Sequence, residues 1–237
     1  TVTLTGGEPL LVPEYGEICK ALSENSIKIT TVTNGSRIDK MIRELRYNTQ
    51  INVSIHSLKD SEYEIITRSG YLLIDIKEKI RRLRRTFPDM IVHPNCTVMR
   101  GINNDLESFM KVIVFAREVN GQAKFIDLAT DDPRRQKDIV SHDEILERLS
   151  VIGFEKTDEN DWQTFLSRNN ETAIITRCGI STYNKIGREP RGLFLMTDGT
   201  IMIDGSNDSR ISMLEEICNQ DHKNFIRKIE NYFPPLY

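Results

Sequence analysis

The sequence predicts an α/β fold, a parallel barrel entered in mid-strand and lacking its first unit. Two observations predict it. Over the first ~150 residues, β-branched strand patterns alternate with helical patterns, as in parallel strands joined by crossover helices. Three successive strands also end in small polar residues: Thr5-Gly6-Gly7-Glu8-Pro9, Thr33-Asn34-Gly35 and Ser54-Ile55-His56-Ser57. Such ends gather on the carboxyl face of a barrel, where ligands bind.

The elements follow in order. Strands are expected at residues 2–5, 27–33, 51–55, 91–98 and 124–128, with helices at 13–23, 38–47, 71–86 and 106–119. Pro13 suits a first helical turn. Ser36 and Asn104 are candidate N-caps, and Ser141 with Glu144 predicts a capping box opening a helix at 142–150. After Gly153 the pattern changes. Residues 155–171 are polar and irregular and hold the only tryptophan, Trp162. A strand-like run at 172–177 follows, and 192–204 reads as a hairpin turning at Asp198-Gly199. Residues 211–232 suit one or two helices before Pro234-Pro235. The expected division is a barrel over 1–153, from its second strand, and a C-terminal part over 154–237 with a final barrel strand, the β-hairpin and tail helices.

Composition bounds the function. At 237 residues, 38% hydrophobic and 28% charged, the chain can bury a real core. A formal charge of −3 gives no general attraction to nucleic acid. No apolar run approaches the ~20 residues that cross a bilayer, and the start has no signal-peptide pattern. A cytoplasmic protein with no membrane partner is expected. The chain begins without Met, so a segment upstream of Thr1 is expected. Cys19, Cys96, Cys178 and Cys218 match no compact metal motif and suit reduced, mostly buried thiols.

The opening stretch is the most informative. Adjacent glycines let a ligand approach the backbone, and Pro9 stops the strand. Alone, this quartet also fits an ordinary loop, Asn34-Gly35 a common turn, and Ser57 a helix cap. In register, the three strand ends are harder to dismiss.

Thr5-Gly6-Gly7-Glu8-Pro9-Leu10, Thr33-Asn34-Gly35, Asn52-Val53-Ser54-Ile55, Ile66-Thr67-Arg68 and Thr97–Asp105 keep order and spacing. Together they resemble the radical S-adenosylmethionine (radical SAM) superfamily, in particular its GTP 3′,8-cyclase branch, from Thr1 to about Leu149. The resemblance implies a partial (β/α)6 TIM-like barrel lacking its first β/α unit, with a small C-terminal hairpin-plus-helix extension. It implies a [4Fe–4S] cluster and SAM as cofactors. SAM is cleaved to methionine and a 5′-deoxyadenosyl radical that abstracts a substrate hydrogen. Gly6, Gly7 and Glu8 match the stretch that contacts the SAM amino group. Thr33 and Asn34 match the next strand end, near cofactor or substrate. Ser54 matches a SAM-contacting serine. Arg68 is a candidate partner for the methionine carboxylate, or a surface arginine. Asn95 is a candidate pocket amide.

The departures are as informative. The cluster-binding Cys-x3-Cys-x2-Cys is expected upstream of Thr1, and no metal ligand is assigned within the chain. Thr3 stands where the cyclase has a substrate arginine, His93 where it has a lysine, His56 where it has an aspartate, and Ala129 where it has a SAM-contacting methionine. These speak against GTP. Cys178, with Asp204 near the expected position of another cysteine, cannot hold the cyclase's auxiliary cluster, and the thiol reads as an ordinary buried one.

Weaker signals remain. The basic run Lys77, Lys79, Arg81, Arg82, Arg84 and Arg85 reads as a solvated helix face or an anion patch. Arg134 and Arg135, after Asp131-Asp132-Pro133, suit an anionic substrate or a surface loop. His142 and His222 fit helix surfaces. Asp127 and Asp131 do not form a recognisable catalytic pair, and Lys124 begins a strand, so a Schiff-base lysine ranks low. The expectation is a radical SAM enzyme acting on a peptide or small molecule other than GTP, with a flavodoxin or ferredoxin as electron donor. The alternative is a cluster-free barrel serving as a binding or regulatory module.

Overall fold

The computed structural model describes residues 1–130, 132–160, 162–178, 193–203 and 210–232. Asp131, Gly192, Asp204, Pro234 and Pro235 lie outside the described residues. The chain divides into two compact units, Thr1–Arg177 and Cys178–Tyr237. The first therefore runs beyond the division expected after Gly153.

The first unit carries strands β1 (Val2–Leu4), β2 (Ile29–Thr33), β3 (Gln50–Ser54), β4 (Ile91–Val98), β5 (Ala123–Asp127), β6 (Glu155–Glu159), β7 (Gln163–Arg168) and β8 (Glu171–Thr176). They form one sheet in the order β1-β2-β3-β4-β5-β8-β7-β6. Neighbours from β1 through β5 to β8 are parallel. β7 and β6 add antiparallel at the end. Helices α1 (Tyr15–Glu24), α2 (Asp60–Thr67), α3 (Leu73–Thr86), α4 (Leu106–Glu118) and α5 (His142–Val151) fall between the strands. This is the expected α/β partial barrel, including the final parallel strand near residue 172.

Alternation along the strands separates two faces. Ile29, Ile51, Val53, Val92, Cys96, Val98, Phe125 and Ile175 are buried in the two cores packed beneath the helices. α3 explains itself: Leu73, Ile76, Ile80 and Leu83 make one apolar stripe, each worth roughly 1.5–3 kcal/mol when buried. Phe109 of α4 meets Phe125 of β5 with ring centroids 4.7 Å apart. The opposite, inner face of the parallel strands mixes polar Thr30, Gln50, Asn52, Ser54, His93, Asn95, Thr97 and Lys124 with apolar Val32, Ile126 and Ile174.

Several elements differ from expectation. α1 begins at Tyr15, so Pro13 precedes it. Residues 38–47 form no α-helix. They close in short turns and a 3-10 helix at Glu44–Tyr47, packed so tightly on α1 that a Cβ at Gly16 would lie 2.8 Å from Glu44 Cγ. Ser36 therefore caps nothing. Asp105, not Asn104, caps α4 by accepting from Ser108 N, while Asn104 Oδ1 accepts from Gly101 N. The capping box of Ser141 and Glu144 is present. The segment expected to be irregular holds β6 and β7. β6 is exposed at every position, so it carries no alternation to read.

In the second unit, β9 (Leu193–Leu195), β10 (Thr200–Ile203) and β11 (Ile211–Ser212) form an antiparallel sheet ordered β11-β10-β9. The hairpin turns at Asp198-Gly199, where Gly199 takes φ +75 and Asp198 Oδ1 accepts from Thr200 N at 3.0 Å. Helices α6 (Leu214–Cys218) and α7 (His222–Tyr232) follow.

Candidate functional site

The site begins with a clamp between two strand ends. Glu8 follows β1 and turns its carboxylate onto the end of β2. Oε1 accepts from Thr33 Oγ1 at 2.7 Å and from Leu10 N at 3.1 Å, and Oε2 accepts from Asn34 N at 2.7 Å. Thr33 Oγ1 also accepts from Gly35 N at 3.0 Å. Asn34 Oδ1 accepts from Ser36 N at 2.8 Å, closing the turn. Thr33 is 2% exposed and registers with Val53 on the helix side. It positions Glu8 from behind the loop. Ahead of the clamp, Gly6 and Gly7 have φ +88 and +43, and a Cβ at either would meet nothing within 4 Å. Their backbone faces open space in a conformation glycine favours.

Ser54, Asn95 and Lys124 are paired in register across β3, β4 and β5. Ser54 is half-buried with no side-chain hydrogen bond among the described residues. Asn95 is 6% exposed, and its Oδ1 has no hydrogen-bond partner. Burial lowers the pKa of Lys124. One layer down, Asn52 registers with His93. His93 Nδ1 accepts from Gln122 N at 3.1 Å, so Nε2 carries the proton. Burial, then the charge of Lys124, pushes its pKa down to about 4, so the ring is neutral at pH 7.

Above Ser54, His56 sits at φ +40. Its carbonyl accepts from Asn103 Nδ2 at 2.7 Å and Cys96 Sγ at 2.9 Å, and its Nδ1 accepts from Thr97 N at 3.2 Å. Asn103 Nδ2 also reaches Thr97 O at 2.9 Å, so one buried amide ties the ends of β3 and β4. Such a left-handed residue is costly and persists because its surroundings hold it. Burial lowers the His56 pKa.

Gly6, Gly7, Glu8, Thr33 and Asn34 are thus brought together, and Ser54 and Asn95 share one inner-face layer. Arg68 is not joined to either group. It is the left-handed C-cap of α2, exposed, with its N donating to Glu64 O at 2.9 Å. The basic face of α3 is largely paired: Arg81 with Glu118, Arg85 with Glu78 and Arg82 with Asp39. Arg134 pairs with Asp132 and Arg135 with Asp138. His142 is buried, 2.8 Å from Thr164 Oγ1 through Nε2, rather than on a helix surface. Cys178 is half-buried and Cys218 exposed, whereas Cys19 and Cys96 are buried as expected. Sequence reasoning missed Lys124 as an inner-face residue. The signal was there: Ala123 and Phe125 alternate with Lys124 and Ile126.

The sequence pattern of the radical SAM superfamily matches residues 1–113. The GTP 3′,8-cyclase of Thermodesulfovibrio yellowstonii is 32% identical over 155 residues, 62% of this chain and 47% of that protein. The GTP 3′,8-cyclase of Clostridium botulinum (strain Okra / Type B1) is 27% identical over 169 residues, 67% of this chain and 51% of that protein. The chain spans about half the length of these curated relatives. Among solved structures, Streptococcus suis SuiB bound to S-adenosylmethionine matches with a TM-score of 0.67 at 14% identity, covering 100% of this chain and 55% of that one. A domain of a pyruvate-formate lyase-activating enzyme from Bacteroides vulgatus matches with a TM-score of 0.52 at 18% identity, covering 67% and 98%. These likenesses show the fold.

The superfamily implies SAM and a [4Fe–4S] cluster. The open diglycine turn and the Ser54 hydroxyl fit SAM, which presents an ammonium, a carboxylate and ribose hydroxyls. The cluster does not fit the described residues: among them no group of three or more His, Cys, Asp or Glu could hold a metal, and the cysteines lie far apart in sequence. No described helix is long and apolar enough to cross a membrane. Residues 1–113 match the radical SAM superfamily, and the chain resembles the GTP 3′,8-cyclase branch of that superfamily.

Proposed function

We propose that this chain is the SAM-binding barrel of a radical SAM enzyme acting on a peptide or small molecule other than GTP. The observation that carries the reading is the Glu8 clamp, which holds the Gly6-Gly7 turn open at a strand end of the same sheet as Ser54. SAM, when bound and reductively cleaved, supplies a 5′-deoxyadenosyl radical for hydrogen abstraction. The protein's part is to bind and orient. Carbonyls of Gly6, Gly7 and Glu8 accept from the SAM ammonium, and the Ser54 hydroxyl serves its ribose or carboxylate. Asn34 flanks the turn, Asn95 lines the wall, and Arg68 reaches a carboxylate only if the loop after α2 moves. A flavodoxin or ferredoxin in the cytoplasm would supply the electron.

Two features argue against GTP. Thr3 offers no positive charge. His93 is neutral at pH 7 because its pKa lies near 4, so it cannot neutralise a phosphate. Calorimetric titration of the chain with SAM tests the reading. The unaltered chain binds, and Ser54→Ala, which loses one hydrogen bond of about 1 kcal/mol, binds about fivefold more weakly. A folded chain with no SAM heat at millimolar concentration ends the proposal.

A further inference from the structure

Lys124 is an inner-face lysine whose ammonium has no counter-charge among the described residues. Its register places it between Asn95 of β4 and Ile174 of β8. It makes no ion pair or hydrogen bond among the described residues, and burial lowers its pKa. Lys124 is half-buried, and a half-buried ammonium with no partner is stabilised when an anion binds beside it. Its neighbour Asn95, 6% exposed, has an amide oxygen with no donor. Adjacent strands place these two side chains roughly 5 Å apart at their bases. One wants an anion, and the other wants an N–H or O–H.

The two half-sites need not share a ligand. The diglycine turn follows β1, and Lys124 lies on β5, four strand spacings away, about 19 Å along the sheet. A SAM whose ammonium sits at Gly6 and Gly7 leaves Lys124 for a second molecule. Among the described residues, Lys124 is also the one permanently charged side chain on the inner face of the parallel strands, since His93 is neutral. The face therefore balances one negative charge, not a polyphosphate.

We propose that Lys124 anchors the substrate through a single carboxylate, with Asn95 Oδ1 accepting from an N–H beside that carboxylate, as an acylated amino acid or peptide terminus presents them. This rests on the reading that SAM occupies the β1–β3 ends.

The experiment uses the whole chain and reads Lys124 itself. Lysines are acetylated with N-acetoxysuccinimide and the Lys124 rate is followed by mass spectrometry. The probes are N-acetylglycine and N-acetylglycine amide at about 10 mM, tenfold above a millimolar dissociation constant. N-acetylglycine should slow labelling at least about threefold, while the amide, which keeps the N–H but lacks the charge, and SAM should leave it unchanged. Lys124→Met should fold with a raised melting midpoint, because it removes an unbalanced charge, and should keep SAM affinity within about twofold. Equal rates with the two glycine probes, or a lowered midpoint for Lys124→Met, would overturn the anchor. Protection by SAM but not by decarboxylated SAM would assign the carboxylate to SAM and overturn the substrate anchor, leaving the proposed function standing. An unaltered chain that fails to bind SAM removes that function, while the glycine probes still decide the anchor.

Discussion

Replacing Glu8 by alanine tests whether the strand-end clamp organises the site. The carboxylate receives Thr33 Oγ1 and Asn34 N at 2.7 Å each and Leu10 N at 3.1 Å. Hydrogen bonds to a charged acceptor contribute about 1.5–3 kcal/mol when no substitute exists. Asn34 is exposed, so water can replace part of its bond. Thr33 is 2% exposed, so its hydroxyl loses an acceptor that water cannot easily supply. The sum is about 2–4 kcal/mol for Glu8→Ala. Glu8→Gln, which keeps one oxygen but turns an NH2 toward Asn34 N, should lose about half of that. Urea unfolding followed by Trp162 fluorescence gives the stability. Hydrogen exchange gives the location: Leu10 and Asn34 amides should lose protection while β4 and β5 keep theirs. A loss under about 0.5 kcal/mol, or exchange rising evenly across the sheet, would refute the clamp.

Two further outcomes follow. His93 has a folded pKa near 4 against about 6.5 unfolded, so between these values the unfolded chain holds more protons and stability is lost as pH falls from 6.5 toward 4. The full effect is about 3 kcal/mol, and urea midpoints from pH 4.5 to 7.5 should slope less in His93→Gln than in the unaltered chain; parallel slopes would count against the assignment. Gly121→Ala should cost about 3 kcal/mol and lower Tm by about 6–12 °C, because the new Cβ would lie 1.7 Å from Val92 O; a Tm within about 2 °C of the parent would mean the close approach relaxes freely.

Much of this fold was legible because the apolar face of each strand is written in β-branched residues. Val53 lies between Asn52 and Ser54, Val92 and Ile175 each have a polar residue on one side, and α3 carries its stripe at helical spacing. The strand ends were legible too, because three successive strands close in small polar residues, although each end alone fits an ordinary turn. What escaped was whatever lacked a side-chain pattern. β6 is polar and exposed throughout, so no apolar alternation marks it. The run from Ile38 to Leu45 has helical spacing, yet both residues are buried by short turns against α1. That strand parity turns the Thr33 side chain to the helix side, onto Glu8, is visible only in the register of β2 with β3. His142 reads as a surface residue at the start of a helix, and only β7 folding back buries it against Thr164.

The inner face couples two groups that cannot easily be charged together. Lys124 helps depress the His93 pKa through its charge, after burial. Charge alone would not matter at this distance in water, but the effective dielectric of a protein interior is far lower. An anion bound at Lys124 cancels that repulsion, so the His93 pKa should rise when N-acetylglycine binds and stay put when the uncharged amide is added. Burial remains as the larger cause, so the rise is partial, and the ring stays neutral at pH 7 in both states. The imidazole proton shifts of His93, followed by NMR against pH with each probe, separate the two causes. A His93 titration unmoved by the carboxylate would mean that the anion sits away from Lys124, and that burial by itself keeps this ring uncharged.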